Sequence, residues 1–318
     1  MYGCGAIGGL LAARLAGGGH SLTVIARGEH LATMRRDGIV LMCEDERVIA
    51  DVVACDSPAE AGEQDVVFLC MKSHTVPAIA ADIAPLFGDE TLVLTACNGI
   101  PWWYFYGTEQ QNDAPELQSV DAGQALWNAI GPERAIGCVV YPAARIETPG
   151  IVRHVFGNRF ALGEPDGNES DRIMRLSAAM TESGFEAPVV ENIRSEMWTK
   201  LVANAAFNPV SLLTGKTLGE MIEDKATRGL LEGVMSEVVA VADAYGVDVA
   251  MSPEQLLEAT RALGGHKTSM LQDYESGRTL ELGPIVEAVA ELANLRGVAV
   301  PNLNIVLRLV DGKIKPVH

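Results

Sequence analysis

The sequence predicts an α/β protein: a doubly wound, largely parallel sheet over residues 1–191, then a second, all-helical domain over residues 192–318. Three observations predict it. A G-x-G-x-x-G fingerprint, Gly3-Cys4-Gly5-Ala6-Ile7-Gly8, opens the chain. Short continuous apolar runs alternate with helical patterns as far as the boundary, which is the signature of βαβ units. From Glu191 the strand-like runs stop and long helical periodicities take over.

The fingerprint has the form of a Rossmann-type dinucleotide-binding turn. There Gly3 makes the tight bend, Gly5 lets the backbone approach a pyrophosphate, and Gly8 lets helix and strand pack closely. The free N–H groups and positive dipole end of the next helix would face that pyrophosphate. A buried strand of about five residues is expected before such a turn. Only Met1 and Tyr2 precede it, so the rest of that strand is expected upstream of this numbering unless the start is misplaced. Residues 10–16 read as a helix, ended by Gly17-Gly18-Gly19. Residues 22–26, 66–71 and 92–96 read as strands covered on both faces, because their apolar runs are unbroken. Residues 136–141, 151–156, 159–162 and 185–190 look antiparallel and would extend the sheet at one edge. Residues 108–120 are polar around one proline and read as a solvated loop, or as a lid. Helical patterns follow at 194–213, 226–245, 253–263 and 284–295.

A net charge of −18 argues against nucleic acid or an anionic membrane surface as partner. There is no long apolar span and no signal peptide pattern, so the expected compartment is the cytoplasm. The six cysteines form no C-x-x-C pair and read as buried, reduced thiols, and nothing has metal-site spacing. His20, His30 and His74 read as surface or loop residues; His266 lies near the candidates below.

The strand at residues 22–26 ends in Arg27, where an acidic residue would mark NAD. An arginine there suits a 2′-phosphate and so points to NADP. Lys72 and Asn98-Gly99 each follow a predicted strand directly, at the carboxyl ends where open α/β sheets bind ligands. Lys200, Asn204 and Asn208 are four residues apart. At about 100° per residue they drift only about 80° and share one stripe of a helix that is otherwise mostly apolar. A polar row in such surroundings needs partners, whether protein, water or ligand.

These motifs, with Ser269-Met270-Leu271-Gln272-Asp273 and Glu281, stand in this order along essentially the whole chain, and together they resemble the ketopantoate reductase (2-dehydropantoate 2-reductase) family. The resemblance implies an NADPH-binding Rossmann domain, a helical domain, and substrate in the cleft between them. It implies reduction of a small-molecule 2-keto acid, 2-dehydropantoate, to (R)-pantoate for pantothenate and coenzyme A synthesis. It makes Lys200 the proton donor, with Glu281 beside it in the catalytic set and holding the substrate's hydroxyl. Asn98, Asn204, Asn208 and Ser269 become substrate contacts. Gly3, Gly5, Ala6, Ile7, Gly8, Arg27, Lys72 and Asn98 become the cofactor site. The aromatic run Trp102-Trp103-Tyr104-Phe105-Tyr106 would shape a pocket for a different 2-keto acid or pack between the domains. Two alternatives therefore stay open: a reductase of another 2-keto acid, and a non-catalytic NADP-binding protein. The apolar C-terminal helices leave room for a homodimer.

Overall fold

The computed structural model describes residues 1–44, 46–72 and 75–314. The chain forms two compact units. The first comprises Met1–Cys97, Pro101–Glu116 and Asp121–Ile193; the second comprises Asn98–Ile100, Leu117–Val120 and the chain from Arg194 onward.

Among the described residues the first unit carries the strands β1 (Thr23–Ile25), β2 (Ile39–Cys43), β3 (Glu46–Ala50), β4 (Val53–Cys55), β5 (Gln64–Leu69), β6 (Phe87–Thr95), β7 (Ala135–Val140), β8 (Ala143–Thr148), β9 (Ile151–Phe156) and β10 (Phe160–Gly163). The helices up to its end are α1 (Ala6–Gly17), α2 (Gly28–Asp37), the short α3 (Pro58–Ala61), α4 (Gln118–Asp121) and α5 (Ala125–Ile130), and α6 (Asp171–Glu182). The main sheet runs β10-β7-β6-β5, and Tyr2 bridges β5 to β1, which pairs with β4. All these pairs are parallel except β10 on β7. The expected first strand is present over two residues. Tyr2 N–H donates to Phe68 O at 2.8 Å, Cys70 N–H to Tyr2 O at 2.9 Å, and Ile25 N–H to Met1 O at 2.8 Å. Val67, Phe68 and Leu69 of β5 and Val93 and Leu94 of β6 are all buried, as their unbroken apolar runs require.

A second sheet, β3-β2-β9-β8, pairs β2 with β9 in parallel and flanks them with antiparallel strands. Helix α1 packs on it. Residues Leu10, Leu11, Ala12 and Ala13 are therefore buried in succession, because a helix apolar all round must be covered all round. This sheet corrects the sequence reading of residues 151–156: β9 pairs with β2 rather than extending the main sheet. Residues 185–190 are likewise not a strand; Glu186 and Val189 make isolated parallel bridges to Arg159 and Leu162. His30 lies half-buried in α2 rather than at the surface, and His74 is outside the described residues. None of the six cysteines is in a disulfide, and burial pushes the Cys4 and Cys70 thiols up to about 12, which leaves them unreactive.

The second unit is helical: α7 (Ile193–Thr214), α8 (Leu218–Glu223), α9 (Lys225–Ala244), α10 (Pro253–Arg261), α11 (Ser269–Glu275), a π-helical turn (Gly283–Glu287) running into α12 (Ala288–Arg296), and α13 (Pro301–Ile314). Helix α9 is its hub. Leu231, Val234, Met235, Val238, Val241 and Ala242 recur at helical spacing and are buried against α8, α10, α12 and α13. Capping boxes at Thr217/Glu220 and Ser252/Gln255 fix where α8 and α10 begin. The polar segment 108–120 is not one solvated loop. Its end, Leu117–Val120, joins the second unit with Leu117 buried, and the Glu291 carboxylate accepts the Gln118 and Ser119 N–H groups at 2.7 and 2.9 Å. A short helix start needs acceptors for its free N–H groups, and Glu291 supplies them. No described helix is long and apolar enough to cross a membrane.

The close approach of α1 to Gly3 and Cys70 generates a stability prediction. A Cβ at Gly8 would lie 2.4 Å from Gly3 O and 2.9 Å from Cys70 Cβ. Gly8→Ala is expected to cost about 1–3 kcal/mol, read as a lower urea midpoint at unchanged m-value.

Candidate functional site

The fingerprint glycines differ in what surrounds them. Gly3 adopts φ 86°, and a Cβ there would lie 2.8 Å from Met71 N, so it is confined to glycine by both conformation and space. Gly8 is confined by Gly3 O and Cys70. Gly5 faces open space, with nothing within 4 Å of its Cβ position. Gly5 is also the N-cap of α1, and no side chain caps that helix and no acidic residue stands in its first turn. Helices α8, α9, α10 and α11 are each capped by a side chain (Thr217, Asp224, Ser252, Thr268). The N–H groups of Ala6, Ile7 and Gly8, which no helix can pair internally, are thus left for an anion. The opening beside Gly5 and this bare helix start together fit a pyrophosphate.

Arg27 is the extended N-cap residue of α2, exposed, two residues past β1. Its charge is felt at the Tyr2 phenol, whose pKa is raised by burial and opposed by Arg27. Lys72 lies half-buried at the carboxyl end of β5, just past Met71. The Cys97 thiol donates to Met71 O at 3.0 Å, tying the chain ahead of Lys72 to the chain ahead of Asn98.

The second unit gathers the other candidates. On α7, Lys200 and Asn204 are half-buried and Asn208 is 4% exposed. Lys200 Nζ donates to Asn98 Oδ1 at 2.8 Å. With Oδ1 turned to the ammonium, the Asn98 NH2 keeps its own donors for another partner. Asn98, expected to meet both cofactor and substrate, lies with Gly99 and Ile100 in the second unit, seated on the π-helical turn. Ile100 N–H donates to Pro284 O at 2.8 Å, and a Cβ on Gly99, at φ 92°, would lie 2.3 Å from the same oxygen. π-turns inside helices recur at functional sites. Glu281 lies half-buried two residues ahead of this turn. Ser269 is exposed at the first position of α11, and Thr268, not Ser269, is the cap. His266 is exposed with its ring on Leu263 O.

The aromatic run is interior to the first unit. Trp102, Trp103, Tyr104 and Phe105 are buried. Trp102 Nε1 donates to Thr95 Oγ1 at 3.0 Å, and Tyr106 stacks edge-on with Trp127. The sequence reading missed two residues. Glu291 holds α4, and His30 joins Cys4 O at 2.6 Å to Gly150 N at 2.8 Å. Neither has a local signal, because every partner is distant in the chain.

Residues 1–167 match the family model described as ketopantoate reductase PanE/ApbA, and residues 192–314 match its C-terminal counterpart. The chain belongs to the ketopantoate reductase family. A 2-dehydropantoate 2-reductase of Mesorhizobium japonicum is 44% identical over 311 residues, covering 98% of this chain and 95% of that one. A solved structure from Ralstonia solanacearum, assigned to the ketopantoate reductases, is 37% identical with a TM-score of 0.92, covering 98% of this chain and 95% of its own. The ternary structure of D-mandelate dehydrogenase with NADH and anilino(oxo)acetate shares the fold, with a TM-score of 0.81 at 19% identity and 98% of each chain covered. As a ketopantoate reductase family member, the chain is a nicotinamide-dependent oxidoreductase of small keto acids.

Because a side chain at position 99 would crowd Pro284 O and shift Asn98 from Lys200, Gly99→Ala is expected to lower kcat by about 100-fold, the scale of a 1 Å misplacement at a reacting centre. Steady-state kinetics check the loss.

Proposed function

We propose that the protein reduces 2-dehydropantoate to (R)-pantoate with NADPH in the cytoplasm, for pantothenate and coenzyme A synthesis. The observation that carries this reading is the Lys200–Asn98 bond within a half-buried polar row on α7. Residues 1–191 hold the cofactor, and residues 192–318 hold the keto acid and supply the proton. When bound, NADPH supplies a hydride from nicotinamide C4 to the keto carbon.

The chain's own residues do the rest. Gly3, Gly5, Ala6, Ile7 and Gly8 bind the pyrophosphate, Arg27 the 2′-phosphate and Lys72 the ribose or phosphate side of the cofactor, while Asn98 bridges the nicotinamide ribose and the substrate. Lys200 holds its proton against the keto oxygen and transfers it there as negative charge builds. Asn98 Oδ1 fixes the direction of Nζ, and Asn204 and Asn208 hold the substrate from the same helix face. Ser269 donates to the substrate carboxylate. Glu281 accepts from the substrate's terminal hydroxyl. A keto acid lacking that hydroxyl would forgo this hydrogen bond, and a site built to hold a hydroxyl discriminates against such an analogue. The aromatic run, spent inside the first unit, gives no support to a different keto acid.

The decisive experiment is NADPH oxidation with 2-dehydropantoate against a panel of 2-keto acids; faster turnover of another acid would replace the substrate assignment. Lys200→Ala is expected to lower kcat by about 10²–10⁴-fold while a binary titration still shows NADPH bound. Arg27→Ala is expected to weaken NADPH by about 10–100-fold, the scale of a charged hydrogen bond, with NADH affinity within about twofold. Equal losses for the two cofactors would remove the 2′-phosphate role.

A further inference from the structure

We infer that His30 is a positioning residue of the dinucleotide site, one that sets the direction of the Cys4–Gly5 peptide inside the glycine turn. The role rests on the reading of residues 3–8 as that site.

The hydrogen-bond network fixes the state of the ring. Nδ1 lies 2.8 Å from the Gly150 N–H, which can only donate, so Nδ1 is the bare, accepting nitrogen. The proton of the neutral ring is then on Nε2, which donates to Cys4 O at 2.6 Å. Both bonds are half-buried, and all three residues belong to the first unit. A trans peptide is planar, with C=O and the following N–H pointing in opposite directions. Holding Cys4 O toward α2 therefore turns the Gly5 N–H away from α2, and Gly5 is the one turn glycine with open space beside it. The turn has no side chain of its own for this task, since Gly3 and Gly5 have none and Cys4 is buried.

The other end of the link is rigid. Gly150, in the β8–β9 turn, is buried at φ 79°, and a Cβ there would lie 2.5 Å from Thr33 Cγ2 of α2. Its carbonyl accepts from Val40 N–H of β2 at 2.9 Å. His30 thus transfers the fixed position of the second sheet to a turn made of residues with the least conformational restraint. This gives the second sheet a task in cofactor binding although its strands carry none of the candidate binding groups.

Two variants separate the two bonds. In His30→Gln the new side-chain amide nitrogen stands where Nε2 was and keeps the bond to Cys4 O. In His30→Asn the new side-chain amide oxygen stands where Nδ1 was and keeps only the bond to Gly150. The measurements are the binary Kd of NADPH, the binary Kd of 2′-AMP (which has a 2′-phosphate but no pyrophosphate), the urea midpoint, and kcat with 2-dehydropantoate at saturating NADPH. His30→Asn is expected to raise the NADPH Kd about tenfold, the scale of one lost hydrogen bond. The 2′-AMP Kd and kcat are expected to stay within about threefold, and His30→Gln to return the NADPH Kd to within about threefold of wild type. Wild-type NADPH affinity in both variants overturns the positioning role alone. So does rescue by asparagine but not glutamine, or a parallel loss of NADPH and 2′-AMP with a lower urea midpoint. A wild-type protein that binds 2′-AMP and no dinucleotide removes the reading of the turn itself, and the positioning role with it.

Discussion

The first unit depends on one close approach of backbone to backbone. The α-carbon of Gly8 faces the carbonyl of Gly3, and Gly3 faces the backbone of Met71, with no room for a methyl group at either place. That approach lets α1 start immediately beside the carboxyl end of β5. It also leaves the helix's first N–H groups uncapped and open on the side of Gly5. Burial of Leu10 through Ala13 under the second sheet then holds the helix where the glycines allow it to be. A side chain at Gly3 or Gly8 would relieve the crowding by moving the helix, and the anion site would move with it.

The second unit solves a different problem. A lysine on an apolar helix face needs an acceptor, and Asn98 provides one from a part of the chain 102 residues earlier. The π-helical turn makes that reach possible by offering Pro284 O to Ile100 N–H and by crowding out any side chain at position 99. Glu291, one turn beyond it, captures Gln118 and Ser119 in a similar way. Both captures use backbone groups, so they hold the captured segments at defined heights along α12 and its leading turn.

How much of this was legible in the sequence follows from the range of each interaction. The buried strands of the main sheet and the long helices α7 and α9 were legible because burial writes continuous or 3.6-periodic apolar patterns. Strand β3 was not, since most of it is exposed and carries no such pattern, whereas β2 does carry an unbroken apolar run, Ile39–Cys43, that the sequence reading passed over. Residues 151–156 were legible as a strand, but their partner lies more than a hundred residues away, at Val40 to Cys43. The row of Lys200, Asn204 and Asn208 was legible from its spacing alone, whereas the recruitment of Asn98 to it was not. Gly283-Pro284 reads as an ordinary helix start, with proline at an early position, and gives no sign of a π-turn. His30 shows the same limit: a histidine a few residues past a strand end looks like surface until Cys4 and Gly150 are both beside it.

The membership of Asn98–Ile100 and Leu117–Val120 in the second unit has a consequence for modularity. The linear order of the chain is not the order of its folded parts: two short pieces of the first half are built into the second. A recombination event that joined residues 1–191 of one relative to residues 192–318 of another would carry Lys200 and Glu291 to new hosts and leave Asn98 and Ser119 behind. Each half must therefore match the other at those two stitches for such a chimaera to keep both contacts.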